Sequence, residues 1–184
     1  NNFTKLTSNH LIIDLKNDDK ILWKDLRKSY KPLINKGKKI IKYEIYNKKN
    51  MSWEIMLEFQ KLHILDAGRK TRSDKSWYKQ FEIIKKGEGF LILGYFEQQL
   101  IAASFFTYTK FKCAYATSAT NKKFFHLPLN HAAIWKAIIF SKNLKCEYFD
   151  FGPINILSEK NQFSNNFDRF KSGFGGISQN FFEV

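Results

Sequence analysis

The chain has 184 residues and a mass of 21.8 kDa, which corresponds to one ordinary domain that can bury a full hydrophobic core. Hydrophobic residues make up 43% and aromatic residues 17%, which excludes a disordered chain, and no apolar run approaches the roughly 18 residues of a membrane span. Two cysteines, Cys113 and Cys146, cannot form a disulfide framework or a metal site alone, which favours a reducing, cytoplasmic location.

The formal net charge is +14, from 31 basic and 17 acidic residues. Such a surplus is typical of proteins that bind nucleic acid or anionic lipid. Only four of the basic residues are arginines, and the many Lys, Phe, Ile and Asn residues indicate an AT-rich genome that contributes to the basicity. Because the planar guanidinium group matches phosphate, the arginines are better candidates for binding residues than lysines chosen on charge alone.

The first part of the chain predicts a strand followed by a basic helix. A Leu-Ile-Ile run predicts a strand over His10–Leu15, and a helix should start at about Lys20, be broken or kinked by Pro32 and end at Gly37. The window 20–49 holds eleven basic and two acidic residues. This window is either a solvated helix face or an electrostatic landing surface for a polyanion.

The remaining elements alternate between helical and extended patterns. Helices are predicted over 52–67, 74–86 and 130–143, and strands over 40–46, 90–96, 100–109, 113–120, 146–151 and 177–184. The polar, Asn-rich stretch 155–169 predicts a loop with a short helix. A three-strand meander followed by a helix and a strand predicts an α+β fold, with a mixed, mostly antiparallel sheet flanked by helices.

Two segments near the C terminus carry a resemblance to a known family. Residues 148–152 read Tyr-Phe-Asp-Phe-Gly, and residues 169–176 read Arg-Phe-Lys-Ser-Gly-Phe-Gly-Gly. With Asp14-Leu15 and the stretch 26–37, they resemble the Fem family of aminoacyl transferases, which build peptidoglycan interpeptide bridges and consist of two GNAT-like halves. The resemblance covers about residues 11–180 and implies a GNAT-like fold.

The resemblance also implies a division of the chain. Residues 1–39 would be a lead-in strand and basic helix that join a missing first half, and residues 40–184 would be the GNAT-like transferase domain. The chain begins with Asn1 and shows no basic and apolar leader, which fits a processed chain or a piece of a longer one. The implied activity moves an activated acyl or aminoacyl group to an amine or hydroxyl of a cell-wall or cell-surface polysaccharide precursor.

One turn departs from the pattern of coenzyme A enzymes. GNAT members that use coenzyme A bind its pyrophosphate on a Gly-rich turn, whereas the matching turn here, Asn121–Asn130, has no glycine. Side chains there keep backbone amides away from a pyrophosphate. No tightly bound cofactor is expected, and aminoacyl-tRNA is favoured over acyl-CoA as the donor. The expected partners are an anionic acceptor, such as a sugar nucleotide or a lipid-linked precursor, together with charged tRNA and a membrane surface.

The resemblance places Lys171 in the active site. A lysine there can hold a donor phosphate or stabilise the oxyanion of an attacked ester, and the alternative is an ordinary surface lysine. Phe170 before it is a candidate for substrate contact or core anchoring, and the glycines after it indicate close approach to a ligand or tight turning. Asp150, at the end of a buried strand, is a candidate general base or the cap of the following turn.

The arginines offer further binding candidates. Arg69 and Arg72 lie between two predicted helices and could bind a phosphate-bearing acceptor, or could belong to a solvated basic loop. Arg27 is the next candidate, either for a phosphate or for an ion pair on its helix. Arg169 could instead form an ion pair with Asp168 or Glu159.

Tyr115 on the third meander strand is a candidate substrate contact, with Ser118, three residues on, expected on the opposite face. His126 and His131 lack partners at ligand spacing, so no metal site is predicted. Two further functions stay open. One is a non-catalytic GNAT-like half that only binds an acceptor, and the other is a basic nucleic-acid-binding module.

Overall fold

The computed structural model describes residues 7–157, 162–163 and 165–182. The strands are β1 (Thr7–Asp14), β2 (Lys42–Tyr46), β3 (Gly89–Phe96), β4 (Gln99–Tyr108), β5 (Lys112–Thr120), β6 (Tyr148–Pro153), β7 (Ile156–Leu157), β8 (Gln162–Phe163) and β9 (Ile177–Phe182). The helices are α1 (Asp19–Asp25), α2 (Tyr30–Ile40), α3 (Trp53–Ala67), α4 (Asp74–Lys86), α5 (His131–Asn143) and α6 (Asn166–Ser172). Parts of the predicted lead-in (1–6), loop (158–161, 164) and last strand (183–184) lie outside the described residues.

Seven strands form one sheet in the order β2-β3-β4-β5-β6-β1-β9. Every neighbouring pair is antiparallel except β5 with β6, which run parallel. The mixed, mostly antiparallel α+β architecture predicted from the sequence is therefore confirmed. The expected lead-in strand β1 pairs with β6 on one edge and β9 on the other, so it is an interior strand of this sheet. The missing first half stays a prediction.

Alternating side chains on the strands bury both faces of the sheet. On β3, Phe90 and Ile92 pack in the core beneath α1, α2, α5 and the end of α6. Leu91 and Leu93 point to the opposite face and pack beneath α3 and α4. This period of two, with apolar residues at every position, is typical of a central strand covered on both sides.

Capping residues fix the bounds of α3 and α4. The side chains of Ser52 and Ser73 accept hydrogen bonds from the backbone amides of the first turns, and Gly68 and Gly87 end the helices in the left-handed conformation. The predicted helices over 52–67 and 74–86 therefore match α3 and α4 to within one residue at each end.

The basic helix differs from its prediction at Gly37. The chain leaves the helical conformation after Asp25 and resumes it at Tyr30, so that Pro32 lies in the first turn of α2, where proline is tolerated. Gly37 lies inside α2 and does not end it. A Cβ atom on residue 37 would lie 2.9 Å from the Cβ atom of Ala132 on α5, so this glycine allows α2 and α5 to pack closely.

We therefore expect Gly37→Ala to destabilise the protein, although alanine is the better helix former. Overpacking costs roughly 1–3 kcal/mol, whereas helix propensity favours alanine by about 1 kcal/mol, so a net loss of about 1 kcal/mol should appear in urea unfolding. The double variant Gly37→Ala/Ala132→Gly should recover part of that loss. A more stable Gly37→Ala protein would contradict this account of the contact.

Candidate active site where two parallel strands diverge

The parallel strands β5 and β6 stay together for only a short distance. Their pairing is confined to three residue pairs, the last of which joins Ala114 to Asp150. Beyond this pair β5 continues to Thr120 along β4, while β6 stays paired with β1. The two strands therefore separate, and within the described ranges no strand pairs with the edge of β5 that faces β6 there.

A β-bulge lies at the start of this divergence. On β4, Phe105 pairs with Thr117 and Phe106 pairs with Tyr115, which leaves Ala116 without a partner in the pairing with β4. Ser118 pairs with Ser104, two residues from Phe106, so the bulge brings Ser118 to the same face as Tyr115. The prediction that Tyr115 and Ser118 lie on opposite faces is wrong because simple alternation does not count the extra residue.

A pocket of about 200 Å³ fills the gap between the two strands. It is lined by the bulged segment of β5, the end of β6 and two side chains of α6: Tyr115, Ala116, Thr117, Ser118, Phe151, Gly152, Pro153, Phe167 and Lys171. Two residues predicted from the sequence, Lys171 and Tyr115, therefore meet in one pocket.

Lys171 is a buried lysine, with 5% of its surface exposed. Its Nζ donates a hydrogen bond to the carbonyl oxygen of Pro153 at 2.8 Å and lies 4.6 Å from the centre of the Phe167 ring. Burial lowers the pKa of Lys171, and the carboxylates of Asp168 and Asp150 oppose that shift. The surface alternative is excluded, and the pocket holds an ammonium group in a partly desolvated site.

Asp168 holds the charge of Lys171 in place. Its carboxylate is 3% exposed and lies 3.6 Å from the lysine Nζ. The carboxylate also accepts hydrogen bonds from the backbone amide of Asn155 at 3.0 Å and from the side chain of Asn165 at 2.9 Å. Asp168 therefore pairs with Lys171, and no ion pair of Asp168 with Arg169 is present among the described residues. The other predicted partner of Arg169, Glu159, lies outside the described residues. The sequence marks the pair of Asp168 and Lys171 only by the spacing of three residues on a short helix.

Tyr115 lines the pocket, and its hydroxyl oxygen is buried. Neither this hydroxyl nor that of Ser104 beside it has a hydrogen-bond partner of good geometry among the described residues. Burial raises the pKa of Tyr115, and the hydroxyls of Ser118 and Ser104 oppose the shift in part. The tyrosine is thus a neutral donor near neutral pH. An unpaired buried hydroxyl is costly unless a bound group or a water satisfies it.

Asp150 lies at the last pair before the strands diverge, and it is 2% exposed. Its carboxylate accepts hydrogen bonds from the His10 imidazole at 3.0 Å, from Lys112 Nζ at 3.0 Å and from the backbone amide of Gly152 at 2.7 Å. These contacts join β1, β5 and β6 at one point. The bond to Gly152 N matches the predicted cap of the following turn, and three donors already occupy the oxygens that a general base would use.

Arg27 and Phe170 lie outside the pocket and hold the segment that carries Lys171. The guanidinium group of Arg27 donates to the carbonyl oxygen of Arg169 at 2.9 Å and to Ser172 Oγ at 3.1 Å. Phe170 packs against Tyr30, whose hydroxyl donates to the Phe170 carbonyl oxygen at 3.0 Å. The structure therefore gives both residues a positioning role.

The glycines after Lys171 approach the protein core and not the pocket. A Cβ atom on Gly173 would lie 2.2 Å from the ring of Tyr30. Gly176 has a φ of +93°, and a Cβ atom there would lie 2.6 Å from the carbonyl oxygen of Ile12 on β1. Of the two sequence interpretations, close approach to a ligand is wrong for Gly173 and Gly176, and close packing with tight turning is right.

Arg69 and Arg72 lie in the exposed connection between α3 and α4 and line none of the described pockets. Asp66, just before this connection, accepts a hydrogen bond from the backbone amide of Thr120 at 2.9 Å. Thr120 is two residues beyond Ser118 of the pocket wall. The arginine-bearing connection is thus fixed to the end of β5, a link that no local sequence pattern signals.

The glycine-free turn forms a short 3₁₀ helix, Lys122–Phe124, and then leads into α5. Phe124 and Leu127 pack against a small core cluster with Ile101 and Leu129.

In the described part of the chain, no group of three or more His, Cys, Asp or Glu side chains could hold a metal ion. No helix among the described residues is long and apolar enough to cross a membrane.

Comparison with known proteins finds relatives in structure only. No protein-family model matches the chain, and no curated protein matches its sequence. FemX matches with a TM-score of 0.75 and 12% identity, over 94% of this chain and 59% of FemX. The C-terminal domain of a putative lysylphosphatidylglycerol synthetase from Agrobacterium fabrum matches with a TM-score of 0.69 and 10% identity, over 97% of this chain and 60% of that structure. L-PGS from Bacillus licheniformis matches with a TM-score of 0.66 and 12% identity, over 97% of this chain and 60% of L-PGS.

This chain has the fold of FemX. The Fem-like fold that the C-terminal motifs implied is therefore confirmed. At identities of 10–12%, these comparisons show the fold alone. The chain spans about three fifths of the length of these three structures.

His131, in the aromatic cluster that supports Lys171, generates a pH prediction. Burial, with a smaller contribution from Arg27, lowers the pKa of His131 to about 4, against about 6.5 for the unfolded chain. Between these values the unfolded state binds a proton that the folded state does not. We expect the free energy of unfolding to fall by about 3 kcal/mol from this group as the pH drops from about 7 to about 4.

Urea unfolding at several pH values, with His131→Phe as the non-titrating comparison, measures this contribution. The variant keeps an aromatic ring beside Tyr30, Phe170 and Phe174, which the histidine contacts. Parallel pH curves for the two proteins would contradict the assignment.

Proposed function

We propose that this chain carries an acyltransferase site that moves an aminoacyl group from charged tRNA to an acceptor of the cell envelope. The observation that carries the proposal is the pocket at the divergence of β5 and β6, where Lys171 is buried beside the bulged segment of β5. The fold likeness to FemX and to a lysylphosphatidylglycerol synthetase domain supports aminoacyl transfer as the reaction class.

In this proposal an amine or hydroxyl of the acceptor attacks the ester carbonyl carbon of the aminoacyl group. The new bond forms to that carbon, the ester C–O bond breaks, and the proton of the nucleophile ends on the released ribose hydroxyl. The carbonyl oxygen is negative in between. Lys171 Nζ is proposed to stabilise this oxyanion, because an ammonium group in a partly desolvated pocket interacts strongly with developing charge.

The unpaired backbone edge of β5 supports the same step. Among the described residues, no backbone hydrogen bond joins the segment Ala116–Ser118 to β6. Amide groups at such an edge can donate to a carbonyl oxygen without prior rearrangement. Tyr115 lines the same pocket and is proposed as a substrate contact.

Asp150 is proposed to position the strands at the entrance of the site. The general-base role predicted from the sequence would require one of its three donors, His10, Lys112 or the Gly152 amide, to leave. Holding β1, β5 and β6 at the point of divergence needs no such change. The acceptor would then lose its proton to solvent or directly to the leaving oxygen.

Aminoacyl-tRNA is proposed over acyl-CoA as the donor because of the turn before α5. Its backbone follows a 3₁₀ helix, and Phe124 and Leu127 pack over it, so it offers no glycine-lined cradle for a pyrophosphate. The basic surface of the chain suits a polyanionic donor.

We expect Lys171→Met to lower kcat by roughly 10²–10³ with little change in KM, because the methionine fills the space without the charge. The assay measures transfer of a radiolabelled amino acid from a total charged tRNA pool, on the chain together with any further half encoded with it. Phosphatidylglycerol vesicles and a UDP-linked peptidoglycan precursor serve as the two acceptors, and radiolabelled acetyl-CoA as the competing donor.

Lys79→Met, at an exposed position of α4, is the matched control and should retain full activity. If the parent protein transferred acetyl groups from acetyl-CoA in the absence of tRNA, the donor would be acetyl-CoA and not charged tRNA. Full transfer by Lys171→Met, with an unchanged melting temperature, would remove this lysine from the chemistry and favour a non-catalytic, acceptor-binding half.

Arg69 and Arg72 are proposed to bind a phosphate of the acceptor. We expect Arg69→Ala and Arg72→Ala each to raise the KM for the UDP-linked precursor roughly tenfold, because each removes a charge-assisted hydrogen bond. Both side chains are exposed, so kcat and the melting temperature should hold. Lys75→Ala in α4 is the matched control, because it also removes one positive charge from an exposed position. Unchanged kinetics in both single variants and in the double variant would exclude the two arginines from the site.

A further inference from the structure

A second cavity lies at the other end of the sheet, between α2, the edge strand β2 and α5. Its volume is about 530 Å³, within the range of ligand-binding cavities, and it shares no residue with the pocket of Lys171. Apolar side chains form most of its floor: Tyr43, Ile45, Trp135, Ile139 and Phe140. We call this cavity the edge groove.

Three lysines, Lys38, Lys42 and Lys136, also line the edge groove, and no carboxylate does. Lys42 forms an ion pair with Glu44, whereas Lys38 and Lys136 have none with the described residues. Lys38 lies over the ring of Trp23, and both burial and the charge of Lys136 lower its pKa. Two positive charges thus face each other across an apolar floor without an acidic partner.

The surface beside the edge groove is also basic. The helices α1 and α2 cover the same face of the sheet as α5 and carry much of the charge of the window 20–49. Five exposed lysines lie in these helices or between them, in addition to Lys38: Lys20, Lys24, Lys28, Lys36 and Lys39. These charges add to the positive potential on the side of the sheet where the groove lies.

We propose that the edge groove takes an acyl chain of an anionic phospholipid, with Lys38 and Lys136 at its headgroup, and so docks this face on an anionic membrane. The combination of an apolar floor and unpaired cations matches an amphiphilic anion. A nucleic acid would use the lysines but has no chain to fill an apolar groove, which is why lipid is favoured over RNA. This site is independent of the proposed transfer reaction.

Co-sedimentation with vesicles tests the charge requirement. The protein should bind phosphatidylcholine vesicles that contain phosphatidylglycerol and should not bind phosphatidylcholine alone. The variant Lys38→Gln/Lys136→Gln should bind roughly 30-fold more weakly, at about a fivefold loss for each lysine near the surface. The matched control, Lys75→Gln/Lys79→Gln on α4 at the opposite face, loses the same charge and should bind nearly as the parent does.

Quenching of tryptophan fluorescence tests whether an acyl chain enters the groove. Bromine atoms on lipid acyl chains quench only tryptophans that they contact. Trp135 lines the groove, whereas Trp53 and Trp77 pack on the opposite face of the sheet. Trp23 packs edge-on against Trp135, with 5.1 Å between the ring centroids, so both report on the groove. Vesicles of brominated phosphatidylglycerol should therefore quench the parent protein, and the double variant Trp23→Phe/Trp135→Phe, checked for its fold by circular dichroism, should remove most of that quenching.

Three results would overturn the proposal. Equal loss of binding in the two lysine pairs would show that total charge decides, and binding without quenching would show adhesion without an occupied groove. Binding of uncharged tRNA that competes with vesicles, together with no quenching, would assign the lysines to RNA.

Discussion

The site depends on one constraint, which is a parallel strand pair inside an otherwise antiparallel sheet. Antiparallel neighbours can stay paired along their whole length, but β5 and β6 are held by different partners, β4 and β1, and their pairing stops after three residue pairs. The bulge at Ala116 bends β5 at that point and increases its twist. A cleft thus opens in the middle of the sheet, and among the described residues the edge of β5 that faces it has no strand partner.

The segment that brings Lys171 to this cleft is held mainly by residues far away in sequence. Arg27 and Tyr30, near the start of the chain, bond to the carbonyl oxygens of Arg169 and Phe170, and Gly173 fits against the Tyr30 ring only because it has no Cβ atom. The segment assigned to a lead-in therefore orients the C-terminal motif. Its resemblance to the Fem family has a physical basis, since both ends of the resemblance meet at one lysine.

Helix ends and sheet strands could be predicted from local pattern, because Ser52, Gly68, Ser73 and Gly87 act on their own neighbours. The pocket could be predicted only in part. The sequence predicts Lys171 and Tyr115 but not the partners that define their surroundings. Asp168 is marked only by its spacing of three residues from Lys171, whereas Pro153 comes from β6 and Ser104 from the pairing of β4 with β5. Asp150 was found by its place at a strand end, but its three donors lie on β1, β5 and the turn after it.

In a chain with 31 basic residues, net charge alone cannot separate one lysine from another. The structure separates them by surroundings. Lys171 is desolvated, paired with Asp168 and aimed into a pocket, so its charge can act on a bound group. Lys38 and Lys136 face each other over an apolar floor with no carboxylate among the residues that line it, which suits an anion with an apolar part. Most of the others are exposed and screened by solvent and salt. Function therefore follows from the desolvation and pairing of individual ammonium groups, and the total charge adds only a general attraction to anionic partners.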